Sequence, residues 1–190
     1  MPPGRNELLR DGLNGRHVHP AKRRVLVDGL LAHTLHVQLK GGLADHSETT
    51  TKYHTATHLI HQSLRQTLGT HVQQVGSNIT GERLRFDFIH PQALTPGELQ
   101  QVEDLINEQI KADLPVSKQE TSYDRAIKDG ALAFFGERYP DSVTVYSIGS
   151  FSKEVCGGPH VDHTGLIGPI NIYKQESVGS GRRRLYARFK

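Results

Sequence analysis

In the stretch Tyr53-His54-Thr55-Ala56-Thr57-His58-Leu59-Ile60-His61-Gln62-Ser63-Leu64-Arg65-Gln66-Thr67-Leu68-Gly69, the residues Ala56, Leu59, Ile60, Ser63, Leu64 and Leu68 recur at three- and four-residue steps. This is the period of a helix with one buried face, and the glycine that follows stops it. Downstream the period changes. Over residues 79–88, Leu84, Phe86 and Phe88 alternate with Arg83, Arg85 and Asp87, which predicts a half-buried strand with both arginines on its polar face. Thr95-Pro96-Gly97-Glu98 then supplies an N-cap, a proline at the first helical position and a capping-box glutamate, and Leu99, Val102, Ile106 and Ile110 continue a second helical stripe that ends before Pro115. Short strands at 116–120, 143–148, 167–174 and 184–189, around a short helix at 123–129, complete the pattern. Strands and helices do not alternate regularly, so the expected class is α+β: an antiparallel or mixed sheet with two long helices packed on one face.

Upstream, residues 1–45 read as an N-terminal tail with strands at 25–27 and 35–39, closed by Gly41-Gly42. The chain has 190 residues, 35% hydrophobic and 23% charged, with 19 Gly and 9 Pro, a composition that excludes collagen and disorder throughout and suits one ordinary domain with an appendage. No uncharged apolar run approaches the roughly 20 residues of a membrane helix, and the first residues lack the apolar core of a signal peptide, so no membrane partner and a cytoplasmic location are expected. Cys156 is the single cysteine, which excludes an internal disulfide and leaves thiolate chemistry, metal ligation or packing. The net charge of +3 permits a polyanionic partner but does not identify one.

Twelve histidines matter more than the charge, because neutral imidazole is the commonest metal ligand. His54 and His58 lie one turn apart on the predicted helix, where two ring nitrogens can reach one ion; with so many histidines, such a pair also arises as a merely hydrated face. A zinc-peptidase helix would need a glutamate base after the first histidine, and Thr55 stands there. Cys156-Gly157-Gly158-Pro159-His160 places the only thiol four residues before an imidazole, across glycines that let the backbone turn around an ion. Tetrahedral zinc favours this donor set, so His54, His58, Cys156 and His160, or a subset of three, would hold Zn2+ between a helix and a Gly-rich loop. His61 reads as a packing residue or one that braces a ligand, and His163 follows the second motif too closely to be a clear ligand.

Taken together, the stretch from His54 through His71-Val72-Gln73-Gln74-Val75-Gly76-Ser77, the strand from Leu84 to Phe88, Ala131 to Tyr139, Gly149 to Glu154, Cys156 to Val161, Thr164 to Gly168 and Gly181 to Leu185 resembles the editing domain of alanyl-tRNA synthetases and their freestanding relatives. The likeness covers about residues 50–190. It implies a zinc-dependent aminoacyl-tRNA editing domain at 46–190, a deacylase acting on mischarged tRNA, chiefly seryl-tRNA(Ala) and also glycyl-tRNA(Ala). A pocket sized for alanine cannot strongly exclude glycine or a serine that adds one hydroxyl, so discrimination moves to a second, hydrolytic site. Gln74, matching the family's glutamine in His-Val-x-Gln-x-Gly-Ser, is the implied contact to substrate or water, with Ser77 beside it. Pro159 stands where the alanyl family usually has threonine and is similar to the threonyl-tRNA synthetase branch, so a seryl-tRNA(Thr) deacylase is an alternative. A zinc-stapled tRNA-binding module without hydrolysis is another. The chain is too short for an amino-acid-activating domain as well, which implies a trans-editor or a separated editing domain. Arg182, Arg183 and Arg184, with Arg83 and Arg85 on another strand, are the candidate phosphate contacts to the tRNA acceptor end.

Overall fold

The structure, a computed structural model, describes residues 43–134 and 137–190. The strands expected at 25–27 and 35–39, and most of the 1–45 segment, lie outside the described residues.

Helix α1 runs Glu48–Leu68, five residues longer at its N-terminus than the apolar period alone indicates, because Ser47 caps it by accepting from the Thr50 N–H. It ends at Gly69, whose φ of 113° is open to glycine and strained for other residues. Strands β1 (Gln74–Ile79) and β2 (Leu84–Ile89) follow as a hairpin. The 79–88 alternation thus belongs to two elements: Ile79 closes β1, and the turn before Leu84 reverses the chain. Helix α2 (Pro96–Lys111) starts with the full capping box between Thr95 and Glu98, as its sequence predicts. Then come β3 (Val116–Ser122), α3 (Tyr123–Lys128), β4 (Ser142–Ile148), β5 (Ser152–Val155), a 3-10 turn at Thr164–Leu166, β6 (Ile170–Ser177) and β7 (Arg182–Phe189).

The class is α+β and every strand pair named here is antiparallel, but the strands divide into two sheets, ordered β1-β2-β7-β6 and β3-β4-β5. β3 is almost wholly exposed and has no buried face to align with a common core. Its small sheet instead closes on Ala126, Ala131, Val143, Val145 and Val155. The main core lies between the four-stranded sheet and α1 and α2: Leu84, Phe86 and Phe88 of β2 and Leu185 and Ala187 of β7 pack with Leu59, Ile60 and Leu64 of α1 and Val102 and Ile106 of α2. β7 sits in the middle of its sheet, paired to β2 on one side and β6 on the other.

Two polar links fix α1 in place. Tyr53 is fully buried, stacks on Phe189 at 4.0 Å, donates to the Glu82 carbonyl and accepts from the Phe189 N–H. Thr55, also fully buried, accepts from the Val161 N–H at 3.1 Å and thereby pins the loop after Cys156 to the helix. No helix among the described residues is long and apolar enough to cross a membrane.

Candidate metal centre

The chain from β5 to Val161 runs antiparallel to α1, so residues distant in sequence meet turn by turn. Glu154 bonds His61, and Pro159 bonds His54 one helix segment earlier. Between these rungs the donor atoms of His54, His58, Cys156 and His160 all lie within 4.8 Å of one another. Cys156 Sγ is 3.3 Å from His54 Nε2 and 3.4 Å from His160 Nε2. Around tetrahedral zinc a sulfur and a nitrogen ligand stand about 3.5 Å apart. The two half-motifs therefore form one cluster with the spacing of a metal site.

The surrounding bonds determine which imidazole nitrogens face the sulfur. His54 Nδ1–H donates to the Pro159 carbonyl at 2.9 Å, leaving a lone pair on Nε2. Thr55 gives its hydroxyl proton to the Thr51 carbonyl, so at 3.2 Å it accepts from His160 Nδ1–H, and His160 Nε2 likewise carries a lone pair. Two lone pairs thus converge on a sulfur that holds at most one proton. In addition, His58 Nδ1 is buried with no hydrogen-bond partner among the described residues. Buried acceptors without protons are costly, and a cation among them removes the cost. The donor set therefore fits a zinc-class ion.

Burial keeps the imidazoles neutral, the form that ligates. His54 is pushed down to about 4 by burial and then by the neighbouring His58, against the Pro159 bond and Glu154. Burial likewise lowers His58, and lowers His160 well below its ordinary value with His58 and His54 adding to the effect. The Cys156 thiol is pushed up to about 12 by burial, so its thiolate calls for a positive charge beside it. Gly158 is demanded sterically: a Cβ there would land on the His54 ring, 2.6 Å from Nδ1.

A cleft of about 430 Å³ opens onto the cluster, and Gln74 and Ser77 of β1 line it with Thr57, His61 and Glu154. Apolar wall is supplied by Ile79, Ala133 and Phe134. Of the predicted ligands His54, His58 and Cys156 line this cavity with Gln74 and Ser77, and His160 stands behind Cys156. Glu154 carried no assigned role in the sequence. It is buried, accepts from His61 Nδ1–H at 3.1 Å and from Ser152 Oγ–H at 3.3 Å. Burial alone would raise its pKa, but His58, His61 and these hydrogen bonds outweigh it and the carboxyl lies below its ordinary range. Its signal in the sequence was an acid alternating with Ser152 two residues before the cysteine. His61 braces the site through Glu154, whereas His163 lies outside the four-residue cluster, bonded to Asp113.

The arginines divide between the faces of the sheet: Arg182 and Arg184 alternate with the buried Leu185 and Ala187 of β7, and Arg183 shares the face of those two. Arg184 holds Asp87 with two hydrogen bonds, of 2.7 and 2.9 Å, and Arg85 reaches the same carboxylate at 3.4 Å. Arg83 lies over the Tyr186 ring, Arg183 donates to Gln175, and Arg182 is exposed.

Residues 143–186 match the threonyl and alanyl tRNA synthetase second additional domain. Over 148 residues, 78% of this chain, the sequence is 62% identical to the alanine–tRNA ligase of Treponema pallidum (strain Nichols). The described domain is of the alanyl-tRNA synthetase type. Alanine–tRNA ligases of Borrelia hermsii (strain HS1 / DAH) and Pseudothermotoga lettingae are 55% identical over 148 residues and 44% identical over 172 residues. The chain spans about a quarter of the first of these relatives and a fifth of the last, 24% and 20%. In this alanyl-tRNA synthetase-type domain, both halves of the metal cluster fall on the β5–α1 seam.

Proposed function

We propose that the domain edits tRNA by hydrolysing the ester of a mischarged aminoacyl-tRNA, chiefly seryl-tRNA(Ala) and also glycyl-tRNA(Ala), with Zn2+ held by His54, His58, Cys156 and His160. The observation that carries the reading is the convergence of the four donors, three of which, His54, His58 and Cys156, line the cleft that Gln74 and Ser77 also line. The alanine–tRNA ligase relatives favour tRNA(Ala) over the tRNA(Thr) alternative raised by Pro159. Bound there, Zn2+ would act as a Lewis acid toward an ester carbonyl, water or the substrate's α-amino group.

The protein's own groups supply the rest. Among the described residues the side chains of Gln74 and Ser77 have no hydrogen-bond partner, and both offer donors and acceptors to a serine hydroxyl or a water. Glu154 holds His61 as the Nδ1–H form and keeps a negative charge at the cleft floor. Ile79, Ala133 and Phe134 keep the amino-acid end dry. A site that hydrogen-bonds the serine hydroxyl leaves a polar group unpaired when alanine enters, which favours serine by about 1–3 kcal/mol. Arg182, Arg183, Arg184, Arg83 and Arg85 are the proposed contacts to the tRNA acceptor end, acting through phosphates.

One observation favours a second reading. Four mutually close protein donors fill a tetrahedral shell, as in structural sites, and catalysis needs an open or displaceable position. A zinc-stapled tRNA-binding module would bind tRNA without turnover. Deacylation of tRNAs charged with Ser, Gly, Ala and Thr separates the two. Hydrolysis of seryl-tRNA(Ala) with alanyl-tRNA(Ala) spared is expected, and Gln74→Ala should slow it or narrow the gap. Tight tRNA binding with no turnover would establish the module, and activity confined to seryl-tRNA(Thr) would move the domain to the threonyl branch.

A further inference from the structure

A second cleft, of about 580 Å³, adjoins the same helix and strand. The metal cleft is lined by His54, His58 and His61 of α1 and by Glu154 and Val155 of β5; the second is lined by Gln62, Arg65 and Gln66 of α1 and by Ser152 and Lys153 of β5. The two clefts therefore succeed one another along the α1–β5 pair. From His58 to Arg65 is about 10 Å at the rise of an α-helix. From Glu154 to Ser152 is about 7 Å at the rise of a strand. Their chemistry differs sharply. Among the described residues no lysine or arginine lines the metal cleft, whereas Arg65 and Lys153 line its neighbour.

The one acid of the second cleft, Asp129, has its carboxylate engaged by Arg125 at 2.7 Å, so the lining carries an uncompensated positive charge. Arg65 donates through Nη1 to the Thr70 and Val72 carbonyls at 2.7 Å each, which offsets the negative end of α1 that would otherwise repel an anion here. Among the described residues Lys153 Nζ reaches only the Asp129 carbonyl, at 3.2 Å. Amides of Gln62 and Gln66 and the hydroxyl of Ser150 add the neutral donors and acceptors that sugar hydroxyls need.

An ester at the 3′ end of RNA enters a cleft with its strand behind it, and successive phosphates then lie within about two nucleotide lengths of the reacting carbon. We propose that the Arg65–Lys153 cleft holds the phosphates and riboses of the unpaired nucleotides preceding the terminal nucleoside, with Lys153 as the principal phosphate contact. This rests on the ester-hydrolysis reading of the metal cleft for direction, since it assumes that the terminal nucleoside lies beside the zinc ligands. It assigns the last nucleotides to α1 and β5, apart from the arginines of β2 and β7.

The test uses the full zinc-loaded chain with Lys153→Glu, Lys153→Arg and Gln66→Glu. Gln66 is exposed and makes no bond to the turn that Arg65 holds, so its substitution adds charge to the cleft without removing a structural contact. Binding of a 5′-phosphorylated, unacylated cytidylyl-cytidylyl-adenosine trinucleotide is measured against salt, alongside hydrolysis of seryl-adenosine and of the seryl-trinucleotide. Lys153→Glu and Gln66→Glu should weaken trinucleotide binding about tenfold and raise KM for its seryl ester by a similar factor. Lys153→Glu should also lower the salt slope by about one counterion. Lys153→Arg should retain wild-type behaviour, and seryl-adenosine turnover should stay within about twofold throughout. Trinucleotide binding that ignores both substitutions to glutamate overturns the proposal, as does adenosine monophosphate displacing the trinucleotide at equal concentration, which would mark a mononucleotide site. Sensitive binding without hydrolysis of either ester keeps the strand cleft and overturns the editing reading alone.

Discussion

At Gly158 a single missing Cβ decides whether the two half-sites can meet, because the His54 ring occupies the space a side chain would need. Gly158→Ala should lower zinc affinity by about 10–100-fold, the range found when an outer contact that orients a ligand is lost, with the far-ultraviolet spectrum unchanged. Wild-type affinity in a competition titration would show that the loop relaxes freely. The neighbouring Gly157 meets nothing within 4 Å, so Gly157→Ala is the matched control. The histidines make a further prediction. His54 lies at about 4 in the folded chain against an ordinary 6.5, so between these values the unfolded chain binds more protons. Stability of the metal-free domain is then fully present above about pH 6.5 and declines as pH falls toward 4, by on the order of 3 kcal/mol for His54 alone. His58 and His160 are lowered too and add in the same direction. Urea denaturation across that range should show the decline; a flat profile would mean the imidazoles are not buried neutral. The four clustered donors were legible in the sequence because their types and spacing are chemical facts about donors. Glu154 was not, since an acid in a strand has no spacing that separates a cleft floor from a solvated face.

Among the elements, α2 was legible down to its capping box, a local motif that needs no tertiary context. β1 and β5 were harder. β1 contains Gly76-Ser77-Asn78 and β5 is four residues long, so neither has the propensity or length by which a strand announces itself. The division into two sheets was also illegible, because pairing partners are long-range and β3 carries no inward face to betray them. The arginines of β7 differ in what holds them. Arg184 is tied twice to Asp87, which is 8% exposed, and Arg184→Ala should cost about 1–3 kcal/mol of stability by leaving a buried carboxylate poorly paired. Arg182 and Arg183 lack such a bond to a carboxylate among the described residues. Their joint change to alanine should lower the melting temperature less than Arg184→Ala does and lower the slope of log tRNA affinity against log salt by up to about two. An unchanged slope would return them to a solvated face.

For the whole molecule, the four donors join segments about a hundred residues apart, so an ion held by them would tie α1 to the chain after β5 and should bind the folded state alone. Zinc at a hundredfold its dissociation constant adds about 2.7 kcal/mol, or roughly 5–10 °C in melting temperature at this chain length. Stripping with a chelator should reverse that shift, and scanning calorimetry that finds none would place the cluster outside the cooperative core. The fold class was readable from the succession of periods, whereas the closeness of two clefts along one seam required the antiparallel run of β5 against α1. The position of β7 also bears on how the molecule is made. Its hairpin partner β6 and the early strand β2 flank it on either side, so β2, paired early with β1 on its outer edge, waits for residues 182–189 before it gains its inner neighbour. While the ribosome still holds those residues, Leu84, Phe86 and Phe88 have no Leu185 or Ala187 beside them. The nascent chain therefore carries an open β2 edge until synthesis has passed Phe189, and that interval, not the finished domain, is when a chaperone would be most needed.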